Sequence, residues 1–133
     1  MDGYVLDTFA LMAYFQDEQS SDKIEALLTQ ALDKQIALCI SQISAGELFY
    51  MTHRKHDAAR ANAVWADLQE MPLAMYPATQ ARILAAARIK ATHRVSYADA
   101  FAIALAQELG CKIVTGAPEF KEVEALVPVM WLT

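Results

Sequence analysis

Residues 4–15, "YVLDTFALMAYF", indicate the fold class of this chain. It begins with a short, largely apolar run of strand length that ends in Asp7, and a segment with helical spacing follows at once. The strand-like run does not alternate apolar and polar residues, as a strand with one wet face would. An apolar strand that passes directly into a helix is typical of a parallel sheet covered by helices on both faces.

The same succession of strand and helix continues along the rest of the chain. Segments with helical spacing separate the apolar runs, and Gly110 is the expected stop of the last long helix. The further strand-like runs are "IALCI" (36–40), "LAMY" (73–76), "KIVT" (112–115) and "PVMWL" (128–132). This order predicts an α/β fold with a short parallel sheet.

Length and composition predict a single domain over residues 1–133. The chain is 56% hydrophobic and 20% charged, which fits a folded globule, and no apolar run approaches the ~20 residues of a membrane span. The N-terminus has no basic region ahead of an apolar stretch, so we expect a cytoplasmic protein with no membrane partner. Cys39 and Cys111 show no CxxC spacing and are expected to be reduced, buried thiols.

Charge and motifs exclude several classes of function. The net charge of −5 argues against a protein that holds nucleic acid through a broad basic surface. The sequence contains no GxGxxG after a strand, no GxxxxGK[ST] loop and no GxSxG elbow. Phe9 stands where an aspartyl-phosphate enzyme has its second aspartate. His53 and His56 lie in a basic patch with no third soft ligand nearby in sequence for zinc.

Acidic residues mark the edge of the sheet where a site is expected. In parallel α/β folds ligands bind outside the carboxyl ends of the strands, and Asp7, Glu47 and Thr115 lie close to such ends. Each acid also has a purely structural interpretation. Asp7 can cap the helix that follows it, and both Glu47 and Asp99 stand three residues after a serine, at the acid position of a capping box.

Taken together, the acids indicate more than helix capping. At the starts of their helices Asp7, Glu47 and Asp99 would converge on one cleft, where like charges are costly unless a cation lies among them. Carboxylates with some water are the ligands that Mg²⁺ and Mn²⁺ prefer. In this interpretation Ser44 and Ser96 keep the capping role, while the acids turn toward a metal ion.

Four segments give the chain a resemblance to a known family. They are "YVLDTFALMAYF", "ISQISAGELFY", "VSYADAFAIALA" and "IVTGAPEFKEVEALVPVMWL", in that order. They resemble the PIN domain and, more closely, the VapC-like ribonuclease toxins of type II toxin–antitoxin pairs, and the resemblance runs from Tyr4 to Leu132. It implies a three-layer α/β/α sandwich with a short parallel sheet. It also implies an endoribonuclease that depends on Mg²⁺ or Mn²⁺.

The resemblance assigns roles to individual residues. The family's first three acids fall on Asp7, Glu47 and Asp99, which are expected to hold the metal ion and to be catalytic. A metal-bound water would attack the RNA phosphate and leave a 5′-phosphate and a 3′-hydroxyl. The side chains expected to orient waters or the ligating carboxylates are Thr8, Ser96, Thr115 and Glu119.

The chain departs from the family at the fourth acid. The family usually has "TGDPEF", whereas this sequence reads "TGAPEF", with Ala117 at the acid position. The lost carboxylate is expected to weaken one of two metal sites, and we favour a weakened or inactive enzyme. Three explanations remain open. Glu119 or a water replaces the acid, or the chain is a natural pseudo-nuclease that only binds RNA or protein, or the acid was replaced deliberately because an active toxin poisons its cell.

The resemblance also implies three partners. RNA would be guided by cations, of which Arg94 is preferred ahead of Arg54 and Lys55, with an exposed helix face as the alternative for each. A small VapB-like antitoxin would lay a helix in an apolar groove, and a second copy of the chain would form a homodimer. The other candidate cations for RNA are Arg60, Arg88, Lys90 and His93. The candidate residues of the antitoxin groove, with core packing as the alternative, are Leu11, Tyr14, Phe15, Phe49, Tyr50 and Met51.

Overall fold

The computed structural model of the chain describes residues 1–16 and 21–132. Its strands are Asp2–Leu6 (β1), Ile36–Ser41 (β2), Ala74–Tyr76 (β3), Lys112–Thr115 (β4) and Val129–Trp131 (β5). Its α-helices are Thr8–Phe15 (α1), Ser21–Leu32 (α2), Gln42–Lys55 (α3), Ala58–Glu70 (α4), Gln80–Thr92 (α5) and Tyr97–Leu109 (α6). A short 3-10 helix, Pro118–Val123, lies between β4 and β5. The predicted succession of strands and helices is confirmed.

The strands form one sheet in the order β3-β2-β1-β4-β5, and every neighbouring pair runs parallel. β1 lies at the centre, where Val5 pairs with Cys39 of β2 on one side and with Ile113 of β4 on the other. The chain adds β2 and β3 on one side of β1 and later adds β4 and β5 on the opposite side. The carboxyl ends of β1 and β4 therefore flank the point where the order reverses, which is where such sheets bind ligands.

Helices cover both faces of the sheet, because successive strand residues point to opposite sides. Val5 and Ile113 pack in the core under α5 and α6, together with Phe101 and Ile103. The strand residues that point to the other side are Leu6, Ile40 and Val114. They pack in the opposite core against Leu11 of α1, Ile24 of α2 and Leu68 of α4. The predicted three-layer α/β/α sandwich is confirmed.

Side-chain caps fix where the helices begin. The predicted cap of α1 by Asp7 and of α6 by Ser96 is confirmed. The predicted capping box of Ser44 and Glu47 is wrong, because α3 starts earlier and its cap is Ser41, whose Oγ accepts from the Ile43 amide at 3.1 Å. Ser44 is instead buried inside α3, and Glu47 lies beyond its first turn.

Two further expectations concern the chain as a whole. Cys39 and Cys111 are free and buried, as predicted. Gly110 ends α6 with a φ of 66°, the left-handed conformation that favours glycine. Among the helices of the described residues, none has the length and apolar character needed to cross a membrane.

Candidate active site

Asp7 lies directly after the central strand and is almost completely buried, with 1% of its surface exposed. Its Oδ1 accepts from the Ala10 amide at 2.8 Å, as the cap of α1, and its Oδ2 accepts from the Thr115 hydroxyl at 2.5 Å. Burial raises the pKa of Asp7 from 3.8 to about 7, opposed by these two hydrogen bonds. The nearby Asp99 and Glu119 carboxylates raise it further.

Asp99 lies in the first turn of α6 with 8% of its surface exposed. Its amide donates to the Oγ of Ser96 at 3.1 Å, which is one half of the predicted capping box. The pKa of Asp99 is raised from 3.8 to about 6, first by burial and next by the charge of Glu119. A hydrogen bond with Ser96 lowers it, whereas the charge of Glu47 and a hydrogen bond with Glu119 raise it. The charges of Asp99 and Glu119 therefore act on Asp7, and those of Glu119 and Glu47 act on Asp99.

The loop after β4 brings Glu119 to the other acids. The Thr115 Oγ accepts from the Ala117 amide at 3.0 Å while its hydroxyl donates to Asp7, so one buried threonine fixes both the carboxylate and the loop. Ala117 is buried and precedes the 3-10 helix without a side-chain cap. Glu119 lies in the first turn of that helix.

Glu47 reaches the site from α3. Its Oε2 accepts from the Tyr50 hydroxyl at 3.2 Å, and the ring of Tyr50 in turn lies 5.1 Å from the Arg54 guanidinium carbon. Glu47 is partly exposed, in contrast to the buried Asp7 and Asp99. Its charge still acts on Asp99 across the site.

An open cavity of about 700 Å³ connects these elements. The Thr8 Oγ1 is buried there and has no hydrogen-bond partner among the described residues. A buried hydroxyl without a partner is costly, so it favours a ligand or water in the cavity. The lining residues are Thr8, Phe9, Met12, Gln16, Glu47, Met51, Arg54, Lys55, Ser96, Asp99, Ala117 and Glu119.

The donor set fits a hard divalent cation. Asp7 and Asp99 form no ion pair in the described part of the chain, where the pair within bonding distance is Arg82 with Glu108. Their oxygens and the Thr8 hydroxyl are ligands suited to Mg²⁺ or Mn²⁺, and such ions are often held by one or two carboxylates with waters. As they stand, no three His, Cys, Asp or Glu side chains of residues 1–16 and 21–132 form a ready-made metal cluster. Mg²⁺ in proteins commonly completes its coordination with several waters.

The cavity distinguishes between the candidate cations. Arg54 and Lys55 lie on its wall, at the end of α3. Arg94, the preferred candidate from the sequence, is exposed in the loop before α6 and is absent from that described wall. Whether Arg94 contacts RNA stays a prediction.

Sequence reasoning missed one wall of the cavity, formed by Phe9, Met12 and Gln16. These residues repeat at i, i+3 and i+7 on α1, so they share a face of the helix that Asp7 caps. That spacing was the signal which could have identified them. The face places two apolar side chains and an amide beside the acids.

Comparison with known proteins bears on the fold of the chain. A family model described as the PIN domain matches residues 4–126. A search of the curated proteins found no match.

Solved structures share the fold at low sequence identity. A DNA-bound VapBC complex from Salmonella typhimurium contains a chain that is 19% identical, with a TM-score of 0.77 and 100% of both chains covered. VapC20 of Mycobacterium tuberculosis, a toxin that cleaves the sarcin–ricin loop, is 17% identical with a TM-score of 0.74, covering 90% of this chain and 94% of that chain. VapBC2 from Rickettsia felis, bound to promoter DNA, is 17% identical with a TM-score of 0.72, covering 94% and 96%.

Proposed function

The chain belongs to the PIN domain family, and we propose that it is a VapC-like toxin, an endoribonuclease that hydrolyses RNA phosphodiester bonds with Mg²⁺ or Mn²⁺. One observation carries this proposal: Asp7 and Asp99 are two buried carboxylates with raised pKa values and no ion pair among the described residues, and the charge of Asp99 acts on Asp7. Such an arrangement costs free energy in the isolated chain, and a divalent cation would remove that cost. We also propose that residues 1–133 act as one domain.

Asp7, Asp99, Glu119 and Glu47 are the proposed metal-holding residues. Asp7 supplies the most rigid carboxylate, because Thr115 and the Ala10 amide bind one oxygen each. A bound divalent cation would lower the pKa of a coordinated water and polarise the phosphate. The carboxylates orient that chemistry, and the buried Thr8 hydroxyl is free to hold a water or a phosphate oxygen beside them.

Glu119 supports activity in a chain that carries Ala117. Its charge acts on both Asp7 and Asp99, and it shares a hydrogen bond with Asp99. We therefore propose that Glu119 replaces the acid that the family usually has at position 117. This choice among the three explanations predicts an enzyme that is weakened but not inactive.

RNA binding is proposed to start at the wall formed by the end of α3. Arg54 and Lys55 lie on the same cavity as Asp99 and Glu119, so they would hold phosphates next to the acids. The reaction would leave a 5′-phosphate and a 3′-hydroxyl. The free Thr8 hydroxyl and the Gln16 amide offer uncharged contacts to the same strand.

A VapB-like antitoxin is the proposed protein partner. Relatives of the fold have been solved as VapBC complexes, including one from nontypeable Haemophilus influenzae. In this chain Tyr14 and Met71 line two adjoining cavities of about 330 and 290 Å³, which acidic side chains border. These acids are Glu25, Asp67 and Glu70. An apolar floor with an acidic rim fits a basic amphipathic segment.

The groove expected from the sequence needs correction. Leu11 is completely buried, so it belongs to the core, as its alternative interpretation held. Phe49 packs edge-on against His53 and Trp65 instead of lining the cavities beside Tyr14. A homodimer of this chain remains part of the proposal.

A second candidate function rests on Ala117. A PIN fold that lacks one carboxylate could bind RNA or an antitoxin without cleaving RNA, and Ala117 itself forms part of the cavity wall. This binding module would retain RNA affinity in the wild-type chain while showing no cleavage at any metal concentration.

Cleavage of a broad RNA pool with Mn²⁺ tests the proposed function. We expect the wild-type chain to cut RNA and to leave 5′-phosphate ends, and we expect no cutting after Asp7→Asn or in EDTA. Cutting that survives Asp7→Asn would come from a contaminating nuclease. RNA binding without cutting by the wild-type chain would favour the binding module.

A further inference from the structure

One face of α3 borders the cavity: it lines the cavity with Glu47, Met51, Arg54 and Lys55, and Tyr50 lies beside them on the same face, outside the lining. Glu47, Tyr50, Met51, Arg54 and Lys55 repeat at i, i+3, i+4, i+7 and i+8, so they form one stripe along the helix. The opposite face is anchored in the core by Ala45, Leu48 and Thr52. The stripe thus offers an acid, an aromatic ring, a thioether and two cations on a rigid element.

Tyr50 is the aromatic member of this stripe and is held in place although it is exposed. It has 45% of its surface exposed. Its hydroxyl donates to Glu47 at one end, and Arg54 lies over its ring at the other. A ring fixed by two neighbours loses little entropy when a further group stacks on it.

Along α3, Tyr50 lies between the acid Glu47 and the cation Arg54. A helix rises about 1.5 Å per residue, so Tyr50 follows Glu47 by about 4.5 Å and precedes Arg54 by about 6 Å along the axis. A strand held by Arg54 and Lys55, with a phosphate at the acids, would run beside Tyr50, which contacts Glu47 and Arg54 of the cavity wall. Single-stranded nucleic acid is bound by this combination of cations for the backbone and aromatic rings for the bases.

We propose that Tyr50 is the stacking platform for one unpaired nucleobase of the RNA, next to the phosphate that is cleaved. This inference rests on the proposed function and adds a substrate requirement to it: the nucleotide beside the cut must be unpaired. Arg54 covers one side of the ring, and the base occupies the exposed side. Every base has a flat aromatic face, so stacking on Tyr50 would accept any of the four bases.

Binding in EDTA tests the platform without requiring cleavage. The probes are a short fluorescein-labelled single-stranded RNA and a strand of the same length whose riboses carry no bases. The measured quantity is the ratio of the two dissociation constants. We expect Tyr50→Leu to reduce the preference for the base-carrying strand by at least about 5-fold, the lower end for stacking on an aromatic side chain.

Two further variants separate stacking from other roles. Tyr50→Phe keeps the ring and loses the hydroxyl that bonds to Glu47, and it is expected to keep the preference. Trp65→Leu removes a ring of similar exposure on α4, one that packs edge-on against Phe49 instead of contacting Glu47 and Arg54, and is also expected to keep it. A preference that survives Tyr50→Leu, or that Tyr50→Phe loses equally, would overturn the platform.

The outcome for the platform is distinct from that for the nuclease. Cleavage by a wild-type chain whose binding ignores the bases would leave the proposed function intact and reject Tyr50 as a platform. Failure of the wild-type chain to bind either strand would reject the platform as well. The cleavage assay would then decide the proposed function by itself.

Discussion

The Thr115 hydroxyl donates to the Asp7 carboxylate at 2.5 Å and so joins the ends of the two strands, β1 and β4, at which the sheet order reverses. Both residues are buried, and the same Thr115 oxygen accepts from the Ala117 amide. This contact ties the most buried acid to the loop that carries Glu119. It is the physical link between the fold and the candidate site.

Thr115→Val tests this link. The substitution keeps the shape but removes the donor to Asp7, and the loss should cost about 1–3 kcal/mol of unfolding free energy at pH 8. Urea denaturation in EDTA measures it. Thr8→Val is the matched control, because the Thr8 hydroxyl has no partner in the described residues and its removal should cost little. Equal losses in the two variants would contradict the role of Thr115.

The raised pKa of Asp7 predicts how stability depends on pH in the metal-free chain. The folded state holds this proton up to about pH 7, whereas the unfolded chain releases it near 3.8. The resulting stabilisation is fully present below about pH 4 and is lost as the pH rises toward about 7. Asp99, with a pKa of about 6, acts in the same direction.

Asp7→Asn isolates this effect, because it removes the titrating group. Relative to the variant, the wild-type chain should lose about 4 kcal/mol of unfolding free energy between pH 4 and pH 8, at about 1.4 kcal/mol per pKa unit. Urea denaturation across that range in EDTA measures the difference. When Mn²⁺ replaces EDTA, most of this difference between the wild-type chain and Asp7→Asn should disappear. Parallel pH profiles of the two proteins would contradict the prediction.

Gly116 tests how closely the loop after β4 approaches α1. A Cβ at Gly116 would clash with the Phe9 ring. Gly116→Ala should therefore displace Phe9 from the cavity wall and lower the free energy of unfolding by about 1–3 kcal/mol. Gly46→Ala is the control, since a Cβ there meets nothing within 4 Å and the helix should gain about 0.5–1 kcal/mol. Thermal unfolding of both variants measures these changes in stability. An equal change in the two variants would contradict a close approach of the loop to Phe9.

A double substitution tests whether Glu119 replaces the missing acid. Glu119→Gln should lower Mn²⁺-dependent RNA cleavage by at least about ten-fold, the loss expected when a group supporting a metal site is removed. In the Ala117→Asp background the same change should cost much less, because the restored carboxylate takes over. Ala125→Asp, an exposed alanine on the same segment, is the control. Equal losses with and without Ala117→Asp would contradict replacement by Glu119.

Local sequence patterns predicted most of the architecture. Each apolar run became a strand, and the caps at Asp7 and Ser96 formed as expected because a cap needs only a side chain and an amide a few residues away. The start of α3 shows the limit of this reasoning. Ser41 and Ser44 are both residue types that cap helices, and the structure uses Ser41. Ser41 is also the last residue of β2 and pairs with Tyr76 of β3.

The candidate site could be predicted only in part, because its side chains come from distant segments. Asp7 and Asp99 follow from the chain order of strands and helices. The approach of Glu119 to both depends on tertiary packing that no local pattern encodes. Helical spacing likewise could not tell that Leu11 faces the core.

A Mn²⁺ titration followed by electron paramagnetic resonance tests for the metal site itself, because it needs no knowledge of the RNA substrate. We expect saturable binding to the wild-type chain, loss of that binding in Asp99→Asn, and retention in Glu108→Gln, whose acid pairs with Arg82 instead. Absence of saturable binding at millimolar Mn²⁺, or equal binding by Asp99→Asn, would contradict a metal site in the acidic cavity.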